Sequence, residues 1–64
     1  MSQPTSIQIV RDMTCQQYVE YVLRAFTEAY DRAPFDGAHG EIRFWHSINV
    51  HPDSAVEMLA QWGY

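Results

Sequence analysis

Apolar and polar residues alternate over Ser6–Arg11. Ile7 and Ile9 fall on one side, and Ser6, Gln8 and Val10 on the other, which is the period of a strand. Ser2–Thr5 before it reads as a short flexible lead. The period then changes. From Cys15 to about Arg32, Cys15, Val19, Val22, Leu23, Phe26, Tyr30 and Ala33 lie on one helical stripe, while Gln17, Glu20, Tyr21, Arg24, Glu28, Asp31 and Arg32 lie opposite. Thr14-Cys15-Gln16-Gln17 has the spacing of a capping box, with Met13 and Tyr18 placed as a hydrophobic staple, and Pro34 stops the helix. Phe35–Gly40 is a loop with the turn dipeptides Asp36-Gly37 and His39-Gly40.

Alternation returns over Glu41–Val50. Ile42, Phe44, His46, Ile48 and Val50 make the inward set of a second strand, and Glu41, Arg43, Trp45, Ser47 and Asn49 the outward set. A second helix begins near Pro52, which suits the first helical position. Asp53 faces the positive end of its dipole, Ser54 and Glu57 have capping-box spacing, and Ala55, Met58, Leu59 and Trp62 form its buried stripe up to Gly63. The pattern predicts one α+β domain over residues 1–64, in the order β-α-β-α. A strand–helix–strand unit normally pairs its strands in parallel, but the loop is long enough to return the chain and allow antiparallel pairing, so the expected sheet is two-stranded, antiparallel by preference, and covered by two or three helices because a lone strand pair is not stable.

Composition narrows what such a domain does. Eight carboxylates face four arginines and no lysine, a net charge of −4. Binding nucleic acid phosphates needs a basic face, so direct DNA or RNA binding is not expected; the acidic balance suits a basic protein partner or serves solubility alone. A single cysteine, Cys15, leaves neither an internal disulfide nor a paired-cysteine zinc site. Met1-Ser2-Gln3-Pro4 carries neither a basic region nor an apolar run, and no stretch approaches the ~20 apolar residues of a membrane span, so the expected compartment is the cytoplasm.

The chemistry-bearing residues do not assemble into a catalytic pattern. His39, His46 and His51 lack ligand spacing to one another or to Cys15. His46 reads as a core histidine bonded to a backbone or tyrosine oxygen, and His51 as a cap of the last helix. Cys15 reads as a small buried residue of the helix stripe. No enzyme activity, metal or cofactor is expected.

Two surfaces are candidates for a partner. Glu20, Arg24, Glu28 and Arg32 lie four apart with alternating sign, so these charges are expected to pair along the helix. That leaves Asp31, Asp36 and Glu41, around the central loop, as the least compensated acids. Glu28 and Glu57 extend the negative surface. The second surface is the outer sheet face, where Trp45 between Arg43 and Ser47 is either covered by a helix or the N-terminal lead or stands as an exposed aromatic anchor of the type common in binding hot spots.

With Ser6–Arg11, Met13–Tyr30 and Glu41–Val50 in this order in an acidic, lysine-free chain, the sequence resembles the small anti-CRISPR proteins of phages and mobile elements, and is most similar to inhibitors of type I-C systems. The resemblance covers the full length and carries no shared motif, so no site residue follows from it. It implies a monomeric, non-enzymatic blocker of a bacterial targeting complex. The bound Cas subunit would offer a lysine- and arginine-rich DNA-recognition surface, which the inhibitor would occupy as a partial DNA mimic and steric block. A competing reading is a small interaction module, antitoxin-like or a regulatory subunit, dimerising through the outer sheet face with Trp45, Tyr21, Trp62 and Tyr64.

Overall fold

The computed structural model describes residues 5–64, apart from the Ser6 side chain. The lead expected over Ser2–Thr5 lies outside the described residues except for Thr5. Among the described residues there are four helices and no strand: α1 (Ser6–Arg11), α2 (Cys15–Tyr30), α3 (Ala38–Ser47) and α4 (Pro52–Gln61). The α+β expectation, with its two-stranded sheet and β-α-β-α order, is therefore corrected to an all-helical fold, and the αβ arrangement implied by the resemblance falls with it.

Both expected strands are helices for reasons present in the residues. Thr5 and Gln8 make the same reciprocal capping box as Thr14 and Gln17. Thr5 Oγ1 accepts from the Gln8 amide at 3.3 Å, and the Thr5 amide donates to Gln8 Oε1 at 3.1 Å. At Thr14 the corresponding distances are 3.1 and 2.9 Å. In the second segment the helical spacing of Ala38, Ile42 and Trp45 competes with the alternation and wins. These three are buried, whereas Phe44 and Ile48, two and six residues beyond Ile42, rotate to the far side of α3. A helix satisfies its backbone groups alone; a strand here would have had no partner once Ser6–Arg11 was helical.

The ends of the helices are set by short-range chemistry. Asp31, in the left-handed conformation at φ 56°, ends α2 one turn before Pro34. α3 and α4 both close in a Schellman motif. Asn49 (φ 60°) and Gly63 (φ 82°) take the left-handed position, and the Val50 and Tyr64 amides reach back to the Trp45 and Leu59 carbonyls at 3.0 and 2.9 Å. His51 caps α4: its Nδ1 accepts from the Asp53 amide at 3.1 Å, in the role the sequence suggested.

Three hydrogen bonds fix the arrangement. The Tyr18 hydroxyl donates to the Val50 carbonyl at 2.8 Å, the Tyr21 hydroxyl to Asp53 Oδ1 at 2.7 Å, and Arg32 Nη1 to the Tyr64 backbone oxygen at 2.8 Å. Each spans 32 residues, so α2 and α4 run side by side in the same direction, and α3 returns between their ends. The core between them is Tyr18, Val19, Val22 and Phe26 of α2, Ala38, Ile42 and Trp45 of α3, and Ala55, Val56 and Leu59 of α4, with Val10 added from α1. Met13, at the α1–α2 junction, is held by His46, whose Nε2 lies 2.9 Å from the Met13 carbonyl. A carbonyl only accepts, so that ring nitrogen carries a proton. The ring edge of His46 meets Tyr18 at 5.2 Å. The expected histidine–backbone bond is thus present, from a helix.

Candidate functional site: an acidic and aromatic end of the bundle

The connection between α2 and α3 and the last turn of α4 come together at one end of the molecule. Arg32 makes the link. Its guanidinium lies 4.9 Å from the Phe26 ring centroid and 4.6 Å from that of Phe35, and Nη1 donates to the backbone oxygens of Ala33 and Tyr64. Tyr64 also closes over Gly37, where a β-carbon would stand 3.4 Å from Tyr64 Cε1. Asp31, Asp36 and Glu41 belong to this end: the first ends α2, the second is in the loop, and the third is in the first turn of α3. Asp31 and Asp36 are exposed and Glu41 is half-buried. The three acids singled out from the sequence therefore lie along the α2–α3 connection and its two flanks.

Glu28 and Glu57 are placed differently. Both are exposed, on the flank where α2 and α4 run in parallel. Asp53 lies one turn before Glu57 on the same flank. The Tyr21 hydroxyl there is harder to ionise than a free phenol, first because it donates to the Asp53 carboxylate, then through partial burial and the charges of Asp53 and Glu28. Asp31, Asp36 and Glu41 at the end and Glu28, Asp53 and Glu57 on the flank hold six of the eight carboxylates.

These acids are less neutralised than the sequence suggests. The expected Glu20–Arg24–Glu28–Arg32 chain of ion pairs does not form. Glu20 accepts from Gln16 Nε2 at 3.2 Å, and Arg32 turns to aromatic rings and backbone oxygens. Among the described residues no arginine lies within 4.0 Å of an Asp or Glu carboxylate; His51 Nδ1 stands 3.9 Å from Asp53 Oδ2, but it accepts from the Asp53 amide and so carries no proton to pair with that acid.

The aromatic anchor is corrected. Trp45, placed by alternation on an outer sheet face, is 2% exposed in the core of a helical fold and closed to any partner. The sheet face on which a dimer was envisaged does not exist among the described residues. In its place the structure exposes Phe35 (63%) and Trp62 (56%) beside the acidic end. Trp62 packs edge-on against Trp45, with ring centroids 5.4 Å apart, so one side is fixed and the other faces solvent. By helical spacing Trp62 belonged to the buried stripe of the last helix, with Ala55, Met58 and Leu59. Trp62 is the C-cap residue of α4, past the helix's last turn, and the contact seen for its ring is the edge-on one with Trp45.

Cys15 is also corrected: it is exposed, because it sits at the first turn of α2 beyond the packed region. It lines an open hollow of about 420 Å³ with Gln16, Val19, Glu20 and Arg43. His46 is not among those residues, so no thiol–imidazole pair is formed there. No group of three or more potential metal ligands occurs among the described residues, and no helix there is long and apolar enough to cross a membrane. No family model matches the chain, and neither does any curated protein or solved structure.

Proposed function

We propose that the protein is a non-enzymatic inhibitor that docks through its acidic and aromatic end onto a basic, nucleic-acid-binding surface of a bacterial type I CRISPR-Cas targeting complex. The observation that carries the reading is the set of carboxylates free of arginine partners, gathered by the α2–α3 connection beside exposed Phe35 and Trp62. Carboxylates left without local cations keep their charge available to a cationic groove. The choice of a type I targeting complex comes from the sequence resemblance, and the cytoplasm of the bacterium is the compartment it requires.

Charge mimicry alone is insufficient. The long axis is 36 Å. Duplex DNA of that length carries about 21 phosphates, against eight carboxylates in the whole chain. Aromatic anchoring and steric occlusion supply the remainder, with Trp62 in the role first given to Trp45.

The test is binding to the immobilised, DNA-free targeting complex. Asp31→Asn, Asp36→Asn and Glu41→Gln are combined, because asparagine tolerates the left-handed backbone at position 31. The triple variant is expected to bind about tenfold or more weakly, and the wild type to lose about as much between ~50 and ~200 mM salt. Equal affinity of the folded variant, or indifference to salt, contradicts the reading.

A further inference from the structure

The same partner chemistry extends along α3. Glu41, Phe44 and Ile48 stand at i, i+3 and i+7, a single stripe of the helix that leads away from the acidic end. Phe44 in α3 and Ile48 at its C-cap are 56% and 52% exposed. Trp62 of α4 packs on Trp45, which stands four residues on from Glu41 and three before Ile48, so its solvent side flanks that stripe. We propose that the ridge of Phe44, Ile48 and Trp62, with Glu41 set in it, receives a cationic amphipathic helix.

Charge decides the occupant. α4 carries no arginine, and Arg43, the basic residue of α3, lies on another side of the helix, by the hollow that Cys15 and Glu20 line. The ridge therefore offers apolar contact and negative charge with no cation in it. A second copy would bring another −4 chain against this one and, about a two-fold axis, a second Glu41 against the first. An anionic lipid surface is repelled for the same reason. A helix with leucine-like residues on one stripe and lysine or arginine beside it satisfies both features, in the manner of helix-in-groove recognition. The inference rests on the proposed function in so far as that reading makes the partner basic, and it adds the partner's secondary structure and its place on the protein.

The test uses a synthetic 15-residue leucine/lysine amphipathic helix, with a leucine/glutamate isomer and a scrambled leucine/lysine sequence as controls, titrated into the isotope-labelled protein. The expected result is amide shift changes over Glu41–Ile48 and at Trp62, absent with the glutamate peptide and weak with the scrambled one. Phe44→Ser combined with Ile48→Ser replaces exposed residues and leaves all eight acids in place. It is expected to weaken binding by about tenfold or more. Shift changes confined to other helices, equal binding of the scrambled peptide, or an undiminished double variant would overturn the inference, as would a stable dimer that protects these residues. Docking on the targeting complex that depends on Asp31, Asp36 and Glu41 but not on Phe44 and Ile48 would overturn this inference alone and leave the proposed function standing.

Discussion

Replacing Trp45 by alanine leaves the protein largely unfolded at 25 °C, as read by circular dichroism at 222 nm. The indole is among the largest fully buried side chains, at 2% exposure, and it touches both α3's own core neighbours and Trp62 of α4. Truncating a buried tryptophan costs about 3–5 kcal/mol. A core of this size supplies only about 3–5 kcal/mol in total. Its sequence neighbour is the control. Phe44 is 56% exposed, and Phe44→Ala is expected to change stability by less than about 0.5 kcal/mol. The pair also separates the two readings of this segment. A strand over Glu41–Val50 with Phe44 inward would give the opposite ranking, and finding it would refute the helical packing.

Raising the pH above 10 is the second route to unfolding. Burial pushes the Tyr18 phenol up to about 12 from an ordinary value of 10. The folded state therefore favours the neutral ring. This contribution is fully present below pH 10 and is lost as pH rises towards 12, because the unfolded chain gives up the proton first. Two pH units correspond to roughly 2–3 kcal/mol, a large part of the whole. Tyr18 also donates to the Val50 carbonyl at the α3–α4 junction, so its ionisation removes a tether between α2 and α4. An alkaline titration monitored by tyrosinate absorbance and circular dichroism should show ionisation of this ring and loss of helix together. Helix content unchanged at pH 12 would be incompatible with a buried, bonded Tyr18.

What could be read from the residues depended on how many signals agreed. At α2 the capping box, a long 3.6-residue period and Pro34 all pointed the same way, and the helix stops within two residues of the expected end. At α4, Pro52, Asp53 and Gly63 did the same. Over Glu41–Val50 two periods coexist. Counting Ile42, Phe44, His46, Ile48 and Val50 gives a strand, and counting Ala38, Ile42 and Trp45 gives a helix. The deciding fact is non-local: no neighbouring strand existed to pair with. Over Ser6–Arg11 the segment is too short for period to discriminate, yet the Thr5–Gln8 capping box was legible and had the same form as the one at Thr14. That Asp31, Asp36 and Glu41 would flank the α2–α3 connection was legible because Pro34 and the Asp36-Gly37 turn fix that connection whatever its flanks become. The aromatic part was not, since exposing Trp62 rather than Trp45 depends on the register between α3 and α4.

The lack of contacts between arginines and Asp or Glu side chains among the described residues has a consequence for handling the molecule. With net charge −4 and no neutralising network, the carboxylates repel one another across a domain 36 Å long. Added electrolyte relaxes that repulsion over a Debye length of about 10 Å at 0.1 M, so the melting temperature climbs in the same buffers that release a cationic ligand.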